Sequence, residues 1–282
     1  VSEMSVIDQV FADLRAQGRK ALMPFVTAGD PDLEFTSHVL RTLDGRGCHL
    51  CELGMPYSDP IADGPVIQAS YTRALSAGIR VPDVLDMVRR TAPGLAMPIV
   101  TMVSYAILYR RGLAAYVSEA KSAGVRGAIV PDLPVEEADE LAAICRGEDF
   151  SLIQLVTPTT PPARARRIAA QSSGFLYFVS VTGVTGERTE LAPDLVDQVG
   201  WLRGETDLPI CIGFGISRPE HIRRLASVAD GLIVGSAFVR RMARAAEASR
   251  DEVLGELGDF AGQLLEALGG SSQDIAAVAE TP

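Results

Sequence analysis

Lysine is almost missing from this chain. Only Lys20 and Lys121 occur among 26 basic residues. Lys20 precedes the first apolar run and Lys121 lies in a helical pattern, so neither falls at the C-terminal end of a strand. A Schiff-base aldolase mechanism therefore has no candidate amine. Histidine is also sparse, with His38, His49 and His221 scattered along the chain, and no second C-x-x-C accompanies Cys48 and Cys51. Residues three apart on a strand point to opposite faces. With Cys145 and Cys211, these two read as buried thiols of a reducing compartment more readily than as a redox or metal site. Positive charge is in deficit: 26 basic against 36 acidic residues leave a net charge of −10, which argues against a nucleic-acid surface. Long apolar runs are missing too. The longest, Pro98 to Tyr109, contains Thr101 and Ser104 and is shorter than the roughly 20 residues a bilayer span needs. No charged-then-apolar signal opens the chain, so the expected compartment is the cytoplasm.

What is present is a regular alternation of short apolar runs and helical patterns through 282 residues that are 47% hydrophobic. Val6, Ile7, Val10, Phe11 and Leu14 repeat at helical spacing and predict a helix ahead of the first strand, placed to plug the lower end of a barrel. Strands are expected at Ala21–Val26, Cys48–Leu53, Pro98–Val103, Gly127–Asp132, Ser151–Val156, Phe175–Ser180, Pro209–Ile212 and Asp230–Val234. Helical patterns follow them, with a short helix from Ala237 after strand eight and a last one to about Leu268. Eight alternations without a linker favour an α/β fold of one (β/α)8 TIM barrel. A doubly wound sheet is the runner-up, but no G-x-G-x-x-G follows strand one. Residues 1–270 are expected to form the single domain and residues 271–282 a disordered tail.

The stretch CELGMPYSDPIADGPVIQA, from Cys51 to Ala69, organises the rest. Glu52 ends an apolar strand and Asp63 stands just before Gly64-Pro65 at a helix start. The C-terminal ends of barrel strands are where chemistry is placed, and two carboxylates there suit an acid/base and a charge stabiliser. The alternative is that Glu52 pairs with an arginine and Asp63 caps a helix. A Glu on so apolar a strand asks for more explanation than a cap does, because burying charge is costly.

Glycine-bearing tops end the last three strands: Thr182-Gly-Val-Thr-Gly186, Gly213-Phe-Gly215-Ile-Ser217, and Gly235-Ser236 entering a short helix. One such loop is merely a turn. Three at neighbouring strand tops, with a helix N-terminus, suit a phosphate. The segment Thr182–Leu191 is long and polar, as a lid is.

PFVTAGDP, ELGMPYSDPIADGPVIQ, PDLP, LVTPTTP, TGVTG, GFGIS and ADGLIVGSA occur in this order across residues 24–237, and together they resemble the tryptophan synthase alpha subunit family. The resemblance implies a TIM barrel that cleaves indole-3-glycerol phosphate to indole and glyceraldehyde 3-phosphate without a cofactor of its own. It also implies a pyridoxal-phosphate-dependent beta subunit as partner in an αββα complex. On the family motif the acid/base falls on Glu52, and the acid that holds the indole N–H falls on Asp63. Tyr177 matches the tyrosine of strand six and Thr185 the lid threonine. Phosphate contacts fall on Gly186, Gly215, Gly235 and Ser236, and indole walls on Phe25, Ile67 and Phe214; Tyr177 and Phe214 also read as core aromatics. Pro56 and Asp59 match positions that touch the beta subunit. One segment departs from the family, which commonly has a tyrosine-tyrosine-asparagine-proline run after strand three, where this chain reads Val103-Ser-Tyr105-Ala-Ile107. A free-standing indole-releasing lyase and a non-catalytic phosphate-binding regulatory barrel are the two other readings. Retention of both Glu52 and Asp63 speaks against the second.

Overall fold

A run of apolar residues that alternates sides along each strand builds the centre of the molecule. The computed structural model describes residues 4–60, 63–179, 195–213 and 215–278, with side chains to 269. Among the described residues there are nine strands: β1 (Ala21–Thr27), β2 (Cys51–Gly54), β3 (Ile99–Met102), β4 (Val125–Ile129), β5 (Ser151–Ile153), β6 (Leu155–Val156), β7 (Leu176–Val179), β8 (Ile210–Gly213) and β9 (Gly231–Val234). They pair in parallel in the order β5-β4-β3-β2-β1-β9-β8-β7-β6. β5 and β6 are two halves of one barrel strand interrupted at Gln154, whose carbonyl accepts the Tyr177 N–H at 3.1 Å. The two ends of the sheet are therefore adjacent in the chain, and eight strand positions close a (β/α)8 barrel.

The two sides of β1 show how the sequence divides the core. Ala21, Met23 and Phe25 belong to one buried cluster, whereas Leu22 and Val26 belong to another that includes the surrounding helices. Period-two alternation sends the first set into the barrel and the second outward. Leu50, Val100, Ile129, Ile153, Tyr177, Cys211 and Ile233 join the inner set.

The helix Val6–Ala16 closes the bottom. Ser5 caps it by accepting the Asp8 N–H at 3.1 Å. Ile7, Phe11 and Leu14 belong to the inner cluster, and Phe11 meets Phe175 with ring centroids 5.8 Å apart. Burying such side chains contributes about 1.5–3 kcal/mol each. The plug read from helical spacing is present.

Four details differ from the sequence reading. Strand four runs from Val125 to Ile129, starting before Gly127 and stopping ahead of Pro131, whose missing N–H ends the ladder. Strand two starts at Cys51, so Cys48 precedes it and strand alternation does not govern the pair. Both thiols are free and lie in the outer core, with burial pushing Cys48 up to about 12 and Cys51 well above its ordinary value. A helix at Tyr105–Arg111, capped by Ser104, follows β3 before the expected one at Leu113–Ala123. The last helix spans Arg250–Val278 and passes the predicted end at Leu268. Among the described residues no helix is long and apolar enough to cross a membrane.

Candidate active site

Parallel register brings the candidate side chains to one level. Phe25 on β1 lies opposite Glu52 on β2, and Glu52 lies opposite Val100 on β3. Across the barrel, Tyr177 on β7 is registered with Cys211 on β8. Glu52, Asp63, Phe25, Ile67 and Tyr177 line one cavity, together with Gly215, Gly235 and Ser236. Residues separated by more than two hundred positions thus meet at the C-terminal ends of the strands.

Glu52 is fully buried, and among the described residues neither carboxylate oxygen has a hydrogen-bond partner. Among the described residues no arginine pairs with Glu52, which speaks against the reading of it as a structural acid. An unpaired buried charge is costly, so the group keeps its proton instead. Burial, and then the charge of Asp63, hold its pKa well above the usual carboxylate range.

Asp63 is 4% exposed, and burial raises its pKa to about 6. It does not cap the helix Pro65–Ser76: the N-cap is Gly64, with no side-chain capping bond. The loop is held through its main chain, where Gln68 Nε2 donates to the Asp63 carbonyl at 2.7 Å and to the Pro60 carbonyl at 3.2 Å. Tyr177 is pushed well above the ordinary tyrosine value by burial and then by Glu52, so its hydroxyl stays a donor. A protonated acid, a second carboxylate that ionises near neutral pH and a phenol donor share one cavity walled by Phe25 and Ile67. Such a set can protonate an apolar substrate and stabilise the positive charge that results.

The opposite wall suits an anion. Gly215 has φ +75°, a left-handed backbone that glycine adopts without strain, and a Cβ there would meet nothing within 4 Å. Gly235 precedes the helix Ser236–Met242, which has no side-chain cap. The first N–H groups of such a helix lack intrahelical partners and can bind an anion.

Met102, Ile216 and Ile233 also line the cavity and were not singled out from the sequence. On strands, wall and core residues look alike. The usable signal was parity: Met102 stands two residues after Val100, the register partner of Glu52, and so shares its inward face.

The model of the family described as tryptophan synthase alpha chain matches residues 11–267. The tryptophan synthase alpha chain of Rhodopirellula baltica is 57% identical over 275 residues, covering 94% of this chain and 99% of its own length. That of Gloeobacter violaceus is 48% identical, covering 93% and 94%. The solved alpha chain of Legionella pneumophila subsp. pneumophila superposes with a TM-score of 0.87 at 34% identity, over 96% of this chain and 99% of that one.

The chain belongs to the tryptophan synthase alpha chain family.

Its activity is therefore the alpha reaction of tryptophan biosynthesis, and the chain is a lyase. A tryptophan synthase alpha chain works with a beta subunit as partner. Of the positions matched to the family motifs, Thr185, Gly186, Phe214 and the whole Thr182–Leu191 segment lie outside the described residues. Pro56 and Asp59 do not face the cavity. Pro56 is buried and Asp59 exposed, and Asp59 lines a separate groove with Tyr57, Ser104, Ile107 and Arg110.

Proposed function

We propose that this cavity holds indole-3-glycerol phosphate and splits it into indole and glyceraldehyde 3-phosphate, with Glu52 and Asp63 as the catalytic residues. The observation that carries the reading is the buried Glu52, without a hydrogen-bond partner among the described residues, sharing a cavity with Asp63. Glu52, protonated by its environment, gives its proton to C3 of the indole ring. The Asp63 carboxylate accepts the ring N–H and stabilises the cationic ring. The bond from C3 to the hydroxyl-bearing carbon then breaks, and its electron pair returns to the ring. The hydroxyl becomes the aldehyde and its proton passes to Glu52, which is restored. Tyr177, Phe25 and Ile67 shape the ring site, while Gly215, Gly235 and Ser236 hold the phosphate; Phe214, Thr185 and Gly186 are assigned to the same site on their motif matches. The chemistry asks for no cofactor on this chain.

The same reading places the chain in the cytoplasm, in an αββα assembly in which Pro56 and Asp59 meet the beta subunit. The free-standing lyase and the non-catalytic barrel are not favoured. The test is indole release by the purified chain alone and again with a beta subunit. Activation by the partner supports the assembly. High activity that the partner leaves unchanged supports the free-standing lyase, and no turnover in either case overturns the catalytic reading.

A further inference from the structure

The hydroxyl of Tyr71 is a second buried polar group that has no hydrogen-bond partner among the described residues. The residue is fully buried and belongs to the inner cluster, although it stands on the outer helix Pro65–Ser76. Its entry into the barrel depends on Gly54, the last residue of β2, where a Cβ would lie 2.7 Å from the Tyr71 hydroxyl. Helical side chains lean towards their own N-terminus, and the N-terminus of this helix is Gly64, next to Asp63.

The helix is clamped. Ser70 and Thr27 share a buried hydroxyl–hydroxyl bond of 2.7 Å, and Arg73 grips the buried Asp30 with Nε and Nη2 at 2.8 and 2.6 Å. Tyr71 is thus a rigid donor. On its other side its ring meets Tyr57 at a centroid distance of 5.6 Å, and Tyr57 lies in the loop that carries Pro56 and Asp59.

We infer that Tyr71 is a positioning residue for the acid pair, donating its hydroxyl to the Asp63 carboxylate in the substrate-bound site and tying that carboxylate to the Tyr57 loop. This rests on the catalytic reading of Asp63 given above. Asp63 is the carboxylate that weighs most on the Tyr71 hydroxyl, ahead of Glu52. A hydroxyl without a partner is an unfavourable thing to bury, and a bond to a carboxylate formed during turnover offsets that cost. The other titratable groups facing this point are Tyr57 on the loop, Glu52 on β2 and Tyr177 on β7.

The experiment compares Tyr71→Phe, Asp63→Asn and the double variant with the parent, each as full chain with the beta subunit, on indole-3-glycerol phosphate from pH 5 to 8. Tyr71→Phe is expected to lower kcat roughly ten-fold, the scale of one hydrogen bond to a charged group, with KM little changed. Its acidic limb moves to higher pH, because the ionised Asp63 loses a donor. In the Asp63→Asn background the same change costs little, since the two residues act together. The melting temperature of Tyr71→Phe stays at or above the parent's, which separates this loss from unfolding. An unmoved acidic limb, or an equal loss in both backgrounds, overturns the role of Tyr71 and leaves the catalytic reading intact. Full turnover by Asp63→Asn overturns both.

Discussion

Tyr177 packs on the bare α-carbon of Gly213, two residues beyond its register partner Cys211 on β8: a Cβ at position 213 would come within 2.6 Å of the ring atoms Cε1 and Cζ. Real Cβ contacts are never so short, and the ring is 3% exposed with little room to retreat. Gly213→Ala is therefore expected to push Tyr177 into the cavity. Overpacking of this kind typically costs about 1–3 kcal/mol. A lowered melting temperature together with a raised KM checks it; a variant that binds and melts like the parent contradicts the packing described.

Glu52→Gln keeps the shape and removes the proton. Turnover should fall by at least about 100-fold, the scale of general acid–base catalysis, with substrate still bound. Stability should move the other way. The folded chain holds the Glu52 proton more tightly than the unfolded chain does, so the acid's contribution is most favourable at low pH. It erodes as pH rises above the usual carboxylate range. Glutamine carries no such dependence. The stability advantage of the variant, measured by denaturation at several pH values, should grow with pH; a constant difference would show that Glu52 ionises freely in the folded protein.

The barrel was legible because parallel strands buried on both faces read as short continuous apolar runs, and the acids because Glu52 interrupts one of them. Gln154 gave no such warning. Its break in the fifth strand depends on closing the sheet onto Tyr177, a contact that no local pattern encodes. The helix Tyr105–Arg111 was hidden by brevity and by Gly112 at its end. Tyr71 reads as an ordinary apolar position of an amphipathic helix. Only the absence of a side chain at Gly54, on a different element, leaves room for its hydroxyl against the end of β2.

Asp63→Asn tests the second carboxylate. Because burial raises Asp63 to about 6, the parent should lose activity as pH falls through that value and the carboxylate is neutralised. The variant should be slower throughout and lack this limb. In stability, the parent is penalised between the usual aspartate range near 4 and about 6, because the unfolded chain ionises first; the full effect above that window is about 3 kcal/mol. Denaturation across pH 3 to 8 should show Asp63→Asn gaining on the parent over that window. A parallel pair of stability curves would mean that Asp63 is solvated like an exposed acid.

The segment after strand three, Val103 to Ile107, is held by a neighbour. Asp132 accepts the Ser104 hydroxyl at 2.6 Å and the Tyr105 N–H at 2.7 Å, while Ser104 caps the helix by accepting the Ala106 N–H at 3.3 Å. Ser104 and Asp132 line the same groove as Tyr57 and Asp59, and neither lines the cavity of Glu52. Asp132→Ala should release the start of this helix at a cost of about 1 kcal/mol, as expected for a lost cap. The turnover of the isolated chain should be unchanged, whereas activation by a beta subunit should need a higher partner concentration. Titrating the beta subunit against both chains measures the shift. Equal titration curves would mean that the partner grips elsewhere. A fall in the isolated chain's turnover would mean that the groove and the cavity move as one.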